Sequence, residues 1–578
     1  DPAPLLGWES DTWKALAASA APLPKNVKGW IAQLSGCDQV WQVGELDFDQ
    51  PLVLDGERLY LRRYWRDERL VAHTVRTRAA QVRALDAHVV HGWIELLFAT
   101  ERRGAVAEVD GPDWQKLACA IALRGALSII TGGPGTGKTY TVARLLALLL
   151  ALEPGQRIAL AAPTGKAAAR LKQSIDRALT DLAERLGEAL PLRELTARMG
   201  PARTLHSLLG ARPDTRSFAH NRHNPLDVDV LIVDEASMVH LEMMASLLDA
   251  LPASSTLILL GDKDQLASVE AGAVLGDLCR DAQAGHYTQA TLDYALAASG
   301  EAIPAAYLGE GGALAQQTVM LRRSRRFGGP IGQLALAVND GDVARAEAVL
   351  RGGHDEVRWL EKAQQQQVVQ LALEHYQPYL ALLEAGADGR AHDAWVADVL
   401  LRFEAFRILC AVREGEWGVT GLNEAIEQRL DGARLIRKRG EWYVGRPVMI
   451  TRNDYGTGVF NGDIGLTLAD PARPGSLRVY FLEGERVRSV LATRLRHVET
   501  AYAMTVHKSQ GSEFAHTVLV LPKERGPMIA RELVYTGITR ASRVFTLVSP
   551  TASVLGEAIA RRTQRASGLR EMIARSAK

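Results

Sequence analysis

Cysteine, lysine and net charge are all scarce in this chain, and each shortage removes a class of function. Its 578 residues carry only four cysteines, Cys37, Cys119, Cys279 and Cys410. They lie far apart with no C-x-x-C pair, which argues against a zinc or iron–sulfur site and fits a reducing cytoplasm. Long hydrophobic runs are missing too: nothing approaches the ~20 unbroken apolar residues that cross a bilayer. The apolar run 145–152 is short and reads as a buried helix. No signal peptide is visible at the amino end, and the opening Asp1 in place of Met leaves room for a missing leader or tag. The net charge is +1, so a nucleic-acid partner needs a local groove of positive potential. Arginine greatly outnumbers lysine, yet Lys138, Lys166, Lys263 and Lys508 all fall inside glycine-rich or polar motifs. A compact ammonium does not interchange with a planar guanidinium, so a specific chemical need is expected at each.

What the chain does have is a phosphate loop. Gly132-Gly133-Pro134-Gly135-Thr136-Gly137-Lys138-Thr139 completes G-x-x-x-x-G-K-[ST]. The apolar run 127–130 leads in as a strand, and 140–150, opening on Tyr140, leads out as a helix. The glycines let the backbone turn tightly and aim N–H groups at the positive end of that helix. Lys138 is expected on the β- and γ-phosphates and the Thr139 hydroxyl on Mg²⁺. A nucleoside triphosphate is therefore the expected ligand.

The 47% hydrophobic and 23% charged content is that of an ordinary globular protein, with length for about three or four domains. Residues 1–110 hold most of the tryptophans, which suit either a protein interface or a small core. A hairpin is expected over 52–64, turning at Asp55-Gly56. Residues 111–280 alternate strand and helix, with strands at 157–162, 228–233 and 256–260 that end in polar clusters, the pattern of a parallel sheet. Residues 281–316, rich in Ala and Gly, read as a linker. A second α/β region spans 317–440 and resumes over 499–578, with strands at 517–521 and 544–548. Between its halves, 441–498 reads as a small inserted β-barrel, with strands at Trp442-Tyr443, 446–451 and 477–481. No repeat or low-complexity tract is present.

Two further boxes follow the loop. Asp234-Glu235 closes an apolar strand, placing Asp234 to hold Mg²⁺ through water and Glu235 to orient and deprotonate the attacking water. Gln265, in Gly261-Asp262-Lys263-Asp264-Gln265, offers a donor and an acceptor to the γ-phosphate.

These boxes, with Trp114-Gln115-Lys116, Ala162–Ala168, Thr204-Leu205-His206, 261–272, Ser324–Phe327, Asn461-Gly462-Asp463, 505–514 and 534–541, resemble superfamily 1 helicases of the 5′→3′ branch. Within that branch the resemblance is to the RecD family, the α subunits of RecBCD helicase–nucleases (exodeoxyribonuclease V), and covers nearly the whole chain. It implies an α/β fold: two RecA-like P-loop NTPase domains, an SH3-like barrel inserted in the second, and a small amino-terminal domain that docks on partners. It implies ATP as the nucleotide, read at the adenine by Gln115, with Glu513 near the sugar. Arg326 and Arg540 become the arginines that reach the γ-phosphate from the second domain. Arg325 competes with Arg326 for that role, and Arg326 is favoured because it directly precedes Phe327. Pro163, Thr164, Lys166, Thr204 and His206 on the first domain, and Thr505, His507, Lys508 and Ser509 on the second, match segments that contact DNA. Gly537 departs from relatives, which often carry a slightly larger residue there. A short hairpin within 211–226 is either a separation pin or a surface loop.

The resemblance further implies ATP-driven 5′→3′ movement along single-stranded DNA, RecB-like and RecC-like partners, duplex DNA ends as substrate, and break repair by recombination. No nuclease carboxylate cluster is visible, so cleavage is expected from a partner. A stand-alone helicase and a P-loop switch that does not translocate remain the alternatives.

Overall fold

Short runs of leucine, isoleucine and valine, buried on both faces, pair side by side as parallel strands. The structure, a computed structural model, describes residues 26–99, 111–212, 217–268, 272–324, 329–454, 456–484, 486–524, 528–563 and 565–575, with Asp11, Lys14, Ala15, Ala18, Pro24, Thr215, Glu270 and Gly526. Among the described residues six strands form the first sheet, in the order Arg203–Thr204, Ile158–Ala162, Val230–Val233, Thr256–Gly261, Leu127–Gly132, Thr318–Leu321. Every pairing in it is parallel. The helices Trp114–Arg124 and Lys138–Leu152, buried almost throughout, pack against it. Its strands end at Gly132, Ala162, Val233 and Gly261, each just before an expected functional box. Ligand sites gather at these carboxyl ends in open α/β sheets.

Among the described residues the second parallel sheet has five strands, in the order Val357–Glu361, Ala541–Ser549, Phe514–Val520, Phe406–Cys410, Ala503–Thr505. An antiparallel sheet is inserted in it, in the order Arg486–Leu491, Leu477–Glu483, Ile464–Ala469, Pro447–Ile450, Val498–Thr500. It carries its own core around Val448, Ile450, Val479 and Phe481. Trp442-Tyr443, expected as a strand, is irregular; the Tyr443 side chain is buried and its hydroxyl is bonded to Glu427.

Residues 281–316 do not form a linker. They contain the helix Gln289–Ser299, and Tyr287, Ala295, Ala298 and Ile303 are buried in the first domain's core. Small side chains pack closely against neighbouring helices, so the Ala-rich composition here marks contact and not slack. The strand Thr318–Leu321 likewise belongs to the first sheet, beyond the expected boundary at 317.

The chain divides into two compact units, Asp1–Thr74 with Gly568–Lys578, and Val75–Ser567. The expected amino-terminal domain of 1–110 is therefore cut short. The helix Ala87–Phe98 is capped by Asp86 and buries Val90, Ile94 and Leu97 in the core of the first α/β domain. Within the smaller unit, Leu52–Asp55 and Arg58–Leu61 form a hairpin that is shorter than the expected 52–64, because Arg62–Tyr64 are already helical. Trp41 and Trp65 meet edge to face at 5.0 Å, and Trp65 donates to Asp55, so these two tryptophans build a core. Its carboxyl-terminal segment joins through Arg58–Glu571 at 2.8 Å and Arg575–Asp55 at 2.8 Å. Among the described residues no helix is long and apolar enough to cross a membrane.

Candidate nucleotide cleft and strand track

The strand Leu127–Gly132 feeds the loop, and the helix Lys138–Leu152 starts on Gly137 at a φ of 84°, a conformation that favours glycine. Lys138 Nζ donates to the carbonyls of Gly132 (2.7 Å) and Gly133 (3.2 Å), and Thr136 Oγ1 donates to Gly133 O (2.8 Å). Asp113 caps the helix Trp114–Arg124 and so sets Gln115 beside the loop. Gln115 Nε2 donates to Thr136 O at 2.9 Å, while its buried Oε1 has no partner. A spare acceptor there suits an exocyclic amino group such as that of adenine. The Tyr140 ring is faced by the Arg144 guanidinium at 3.1 Å.

Asp234 follows the strand Val230–Val233, and its Oδ1 accepts the Glu235 N–H at 2.8 Å. Enclosure of the carboxyl, then the adjacent Glu235, pushes Asp234 up to about 6, with Lys138 pulling the other way. Glu235 sits at a φ of 51°, in the left-handed region. Asp262, at the end of Thr256–Gly261, is 2% exposed. Its Oδ1 accepts the Asp264 N–H at 3.0 Å. Its Oδ2 accepts both Gln265 Nε2 at 3.1 Å and the Tyr535 hydroxyl at 3.0 Å.

Tyr535 belongs to the helix Arg531–Ile538 beside the second sheet, so this bond crosses between the two α/β domains. Thr536 Oγ1 accepts the Leu266 N–H at 2.9 Å, and Gln510 Nε2 donates to Leu266 O at 2.6 Å. Arg540, 3% exposed, rests on the carbonyls of Thr536 and Ser512, each at 3.2 Å. Burial lowers its pKa, opposed by Glu235 and then Glu513. Lys138, Thr139, Tyr140, Asp234, Glu235, Gln265, Glu513 and Arg540 all line one cavity of about 440 Å³, together with Arg170. That volume falls in the range of small-molecule sites. The Thr139 hydroxyl and Asp234 carboxylate present oxygen donors of the kind Mg²⁺ takes.

Pro163, Thr164, Lys166, His206, His507 and Lys508 line a neighbouring cavity of about 280 Å³. A larger one of about 1640 Å³ continues past Pro163, Thr164, Thr204 and His206 to Arg452, Asn461 and Arg486 of the inserted domain. Lys508 Nζ donates to Asn461 Oδ1 at 2.7 Å, and Lys166 Nζ lies 3.6 Å from Glu404. Thr164 and Thr204 each cap the helix that follows. Burial, then Arg565, lowers the His507 pKa, which favours a neutral ring that works by hydrogen bonding. Ser509 is not brought to either cavity. It is fully buried, its hydroxyl donates to Val506 O at 2.6 Å, and it shapes a turn. Thr505 lines neither cavity, and its Oγ1 accepts the Lys508 N–H.

Three family profiles match the chain: an AAA domain over residues 115–271, an ATP-dependent RecD-like DNA helicase SH3 domain over 422–481, and a UvrD-like helicase C-terminal domain over 500–548. The RecBCD enzyme subunit RecD of Mycolicibacterium smegmatis is 39% identical over 556 residues, covering 94% of this chain and 86% of that one. The same subunit from Haemophilus influenzae is 37% identical over 542 residues, covering 90% and 81%. The chain belongs to the RecD family. The ATP-dependent RecD2 DNA helicase of Deinococcus radiodurans is 32% identical over 432 residues, which span 74% of this chain and 47% of that protein.

Several expectations drawn from the RecD resemblance gain detail here. Arg325, Arg326 and Phe327 lie outside the described residues, whereas Ser324 Oγ donates to Pro134 O of the phosphate loop at 3.0 Å. Gly537 has a packing reason: a β-carbon there would lie 3.0 Å from both Leu519 methyls. Glu513 pairs with Arg170 at 2.6 Å. The segment 211–226 carries two antiparallel bridges, Ala211↔Phe218 and Asn221↔Asn224, with Arg222 bonded to Asp249 at 2.8 Å; Pro213, Asp214 and Arg216 lie outside the described residues. The SH3 profile reaches back into the helix Val419–Gly432 and stops before the last two strands of the inserted sheet.

Sequence reasoning missed Arg170, which lines the cavity, and Asp262 and Tyr535, which are buried beside it and bonded to each other. Arg170 lies one helical turn beyond Lys166, and the other two stand inside boxes already singled out for Gln265 and Arg540. The signal is position within a box, where Gln265 and Arg540 carry the more familiar chemistry.

Proposed function

We propose that this RecD-family chain is an ATP- and Mg²⁺-dependent motor that moves 5′→3′ along single-stranded DNA. In this reading it is the motor subunit of a RecBCD-type complex, with RecB-like and RecC-like partners, working in the cytoplasm on duplex ends for recombinational repair. The observation that carries it is the shared cleft: Lys138, Asp234 and Glu235 from one sheet line the same cavity as Glu513 and Arg540 from the other. Lys138 binds phosphate oxygens, Glu235 takes the proton of the attacking water, and Arg540 meets charge that develops on the transferring phosphoryl group. Thr139 and Asp234 would hold Mg²⁺, which would neutralise phosphate charge when bound. Closing and opening of the cleft would move Thr164 and Lys166 relative to His507 and Lys508, alternating the grip on a strand. Exposed Leu46 and Phe48 on the smaller unit, each 77% accessible, support partner docking there.

The test is strand displacement on duplexes with a 5′ or a 3′ tail, alone and with candidate partner subunits, beside Lys138→Gln. Unwinding from the 5′ tail that Lys138→Gln abolishes supports the motor; preference for the 3′ tail overturns the direction. ATPase indifferent to single-stranded DNA would favour a nucleotide switch. Full processive unwinding by the chain alone would favour a stand-alone helicase like RecD2.

A further inference from the structure

Tyr535 extends one polar atom from the second motor domain, and it meets the carboxylate that also holds Gln265. The Tyr535 side chain is 6% exposed, and its hydroxyl donates to Asp262 Oδ2 at 3.0 Å. The same oxygen accepts Gln265 Nε2 at 3.1 Å. A β-carbon on Gly133 would lie 2.9 Å from the phenol oxygen, so Tyr535 also abuts the phosphate loop. An ionised carboxylate only accepts hydrogen bonds, and so dictates which end of a neighbouring amide turns toward it. The Gln265 nitrogen faces Asp262, which leaves Oε1 buried and without a partner. Gln265 lines the nucleotide cavity beside Lys138 and Glu235.

We infer that Tyr535 is a positioning residue whose hydroxyl, through Asp262, fixes the Gln265 amide only while the two motor domains are closed on each other. This rests on the motor reading above and adds the link by which closure reaches the nucleotide. When the second domain withdraws, Asp262 loses a donor, its carboxyl is free to turn, and the amide it holds is free to swivel. Thr536 and Gln510 bond only the main chain of Leu266 from the same side. They hold the segment in place; the Tyr535 oxygen acts on the side chain that faces the nucleotide. A group on one domain is thereby oriented by a single atom from the other.

The experiment compares the full chain with Tyr535→Phe, Asp262→Asn and the double variant, by steady-state ATPase with single-stranded DNA and by titration with a fluorescent ADP. Phenylalanine keeps the ring and removes only the oxygen. The expected result for Tyr535→Phe is a kcat about tenfold lower at a KM for ATP within about twofold, the signature of an interaction made on the way to the transition state. Its ADP affinity stays unchanged, which shows that the site is folded. The double variant is expected to be no slower than Asp262→Asn, because both substitutions act through one oxygen. An unaltered kcat in Tyr535→Phe, or losses that multiply in the double variant, overturns the inference. An unsubstituted chain without ATPase overturns the motor reading, and the link with it, so the unsubstituted chain tells the two failures apart.

Discussion

Arg170 of the first motor domain and Glu513 of the second form an ion pair of 2.6 Å across the nucleotide cleft. Their side chains are 41% and 24% exposed, so water screens the pair and it contributes at most about 1 kcal/mol. Glu513 is also the carboxylate expected beside the nucleotide sugar, which sets Arg170 in competition with the ligand. Arg170→Gln is therefore expected to tighten binding of a fluorescent ADP by about two- to fivefold, within that limit. Weaker binding in the titration would mean that Arg170 itself contacts the nucleotide.

Two enclosed carboxylates make the apoprotein sensitive to pH in an unusual sense. Asp262 rises from an ordinary 3.8 to about 6, mainly through burial, and Asp234 does likewise. A folded state that holds the proton more tightly than the unfolded chain is penalised above about pH 6 and relieved as pH falls from there toward about 4. Asp262→Asn and Asp234→Asn are thus expected to raise Tm at pH 8, without nucleotide or Mg²⁺, and to lose much of that gain at pH 5. Equal Tm shifts at the two pH values, read by scanning fluorimetry, would contradict the ionic origin.

Gly137 combines two constraints, a φ of +84° and a position where an added β-carbon would lie 2.1 Å from Gln115 Nε2. Gly137→Ala must both strain the residue that caps the helix and displace the glutamine from Thr136. The expected phenotype is weaker nucleotide binding with reduced preference for ATP over GTP, measured as the ratio of the two kcat/KM values. Lost binding with full base preference would separate Gln115 from base reading.

Lys508 is held by Asn461 from the inserted domain at the edge of the track. Lys508→Ala is expected to weaken single-stranded DNA binding evenly across sequences. It should also flatten the slope of log K against log salt by about 0.7, the loss of one phosphate contact. Asn461→Ala should give a smaller effect of the same kind, because it only orients the ammonium. A change in sequence preference would mean base contact.

The four inner strands of the first parallel sheet were legible as apolar runs that meet glycine or acid, as at Gly132, Asp234 and Gly261. In the second sheet only Phe514–Val520 and Ala541–Ser549 were expected, and Val357–Glu361, Phe406–Cys410 and Ala503–Thr505 were not. The phosphate loop was legible for the same reason, since its glycines serve a local backbone shape. The inserted sheet was harder. Ile464–Ala469 and Arg486–Leu491 were not anticipated, the second because Arg486, Arg488 and Ser489 break the apolar pattern. The helix Gln289–Ser299 escaped because alanine packs without showing a strong periodic stripe. Among site residues, Lys138, Asp234 and Arg540 declare their chemistry one by one. Tyr535, Asp262 and Arg170 matter through a partner on a distant segment, and a linear chain does not display such pairs. Ser509 shows the converse, a hydroxyl in a motif that closes a turn.

The crossing between the motor sheets leaves from Thr318–Leu321, where Leu321 lies in register with Gly132 at the mouth of the phosphate loop. The chain therefore leaves the first sheet beside the phosphate loop. In the proposed motor, rotation about that point would displace each atom in proportion to its distance from it, so that the loop would travel least and the strand track further.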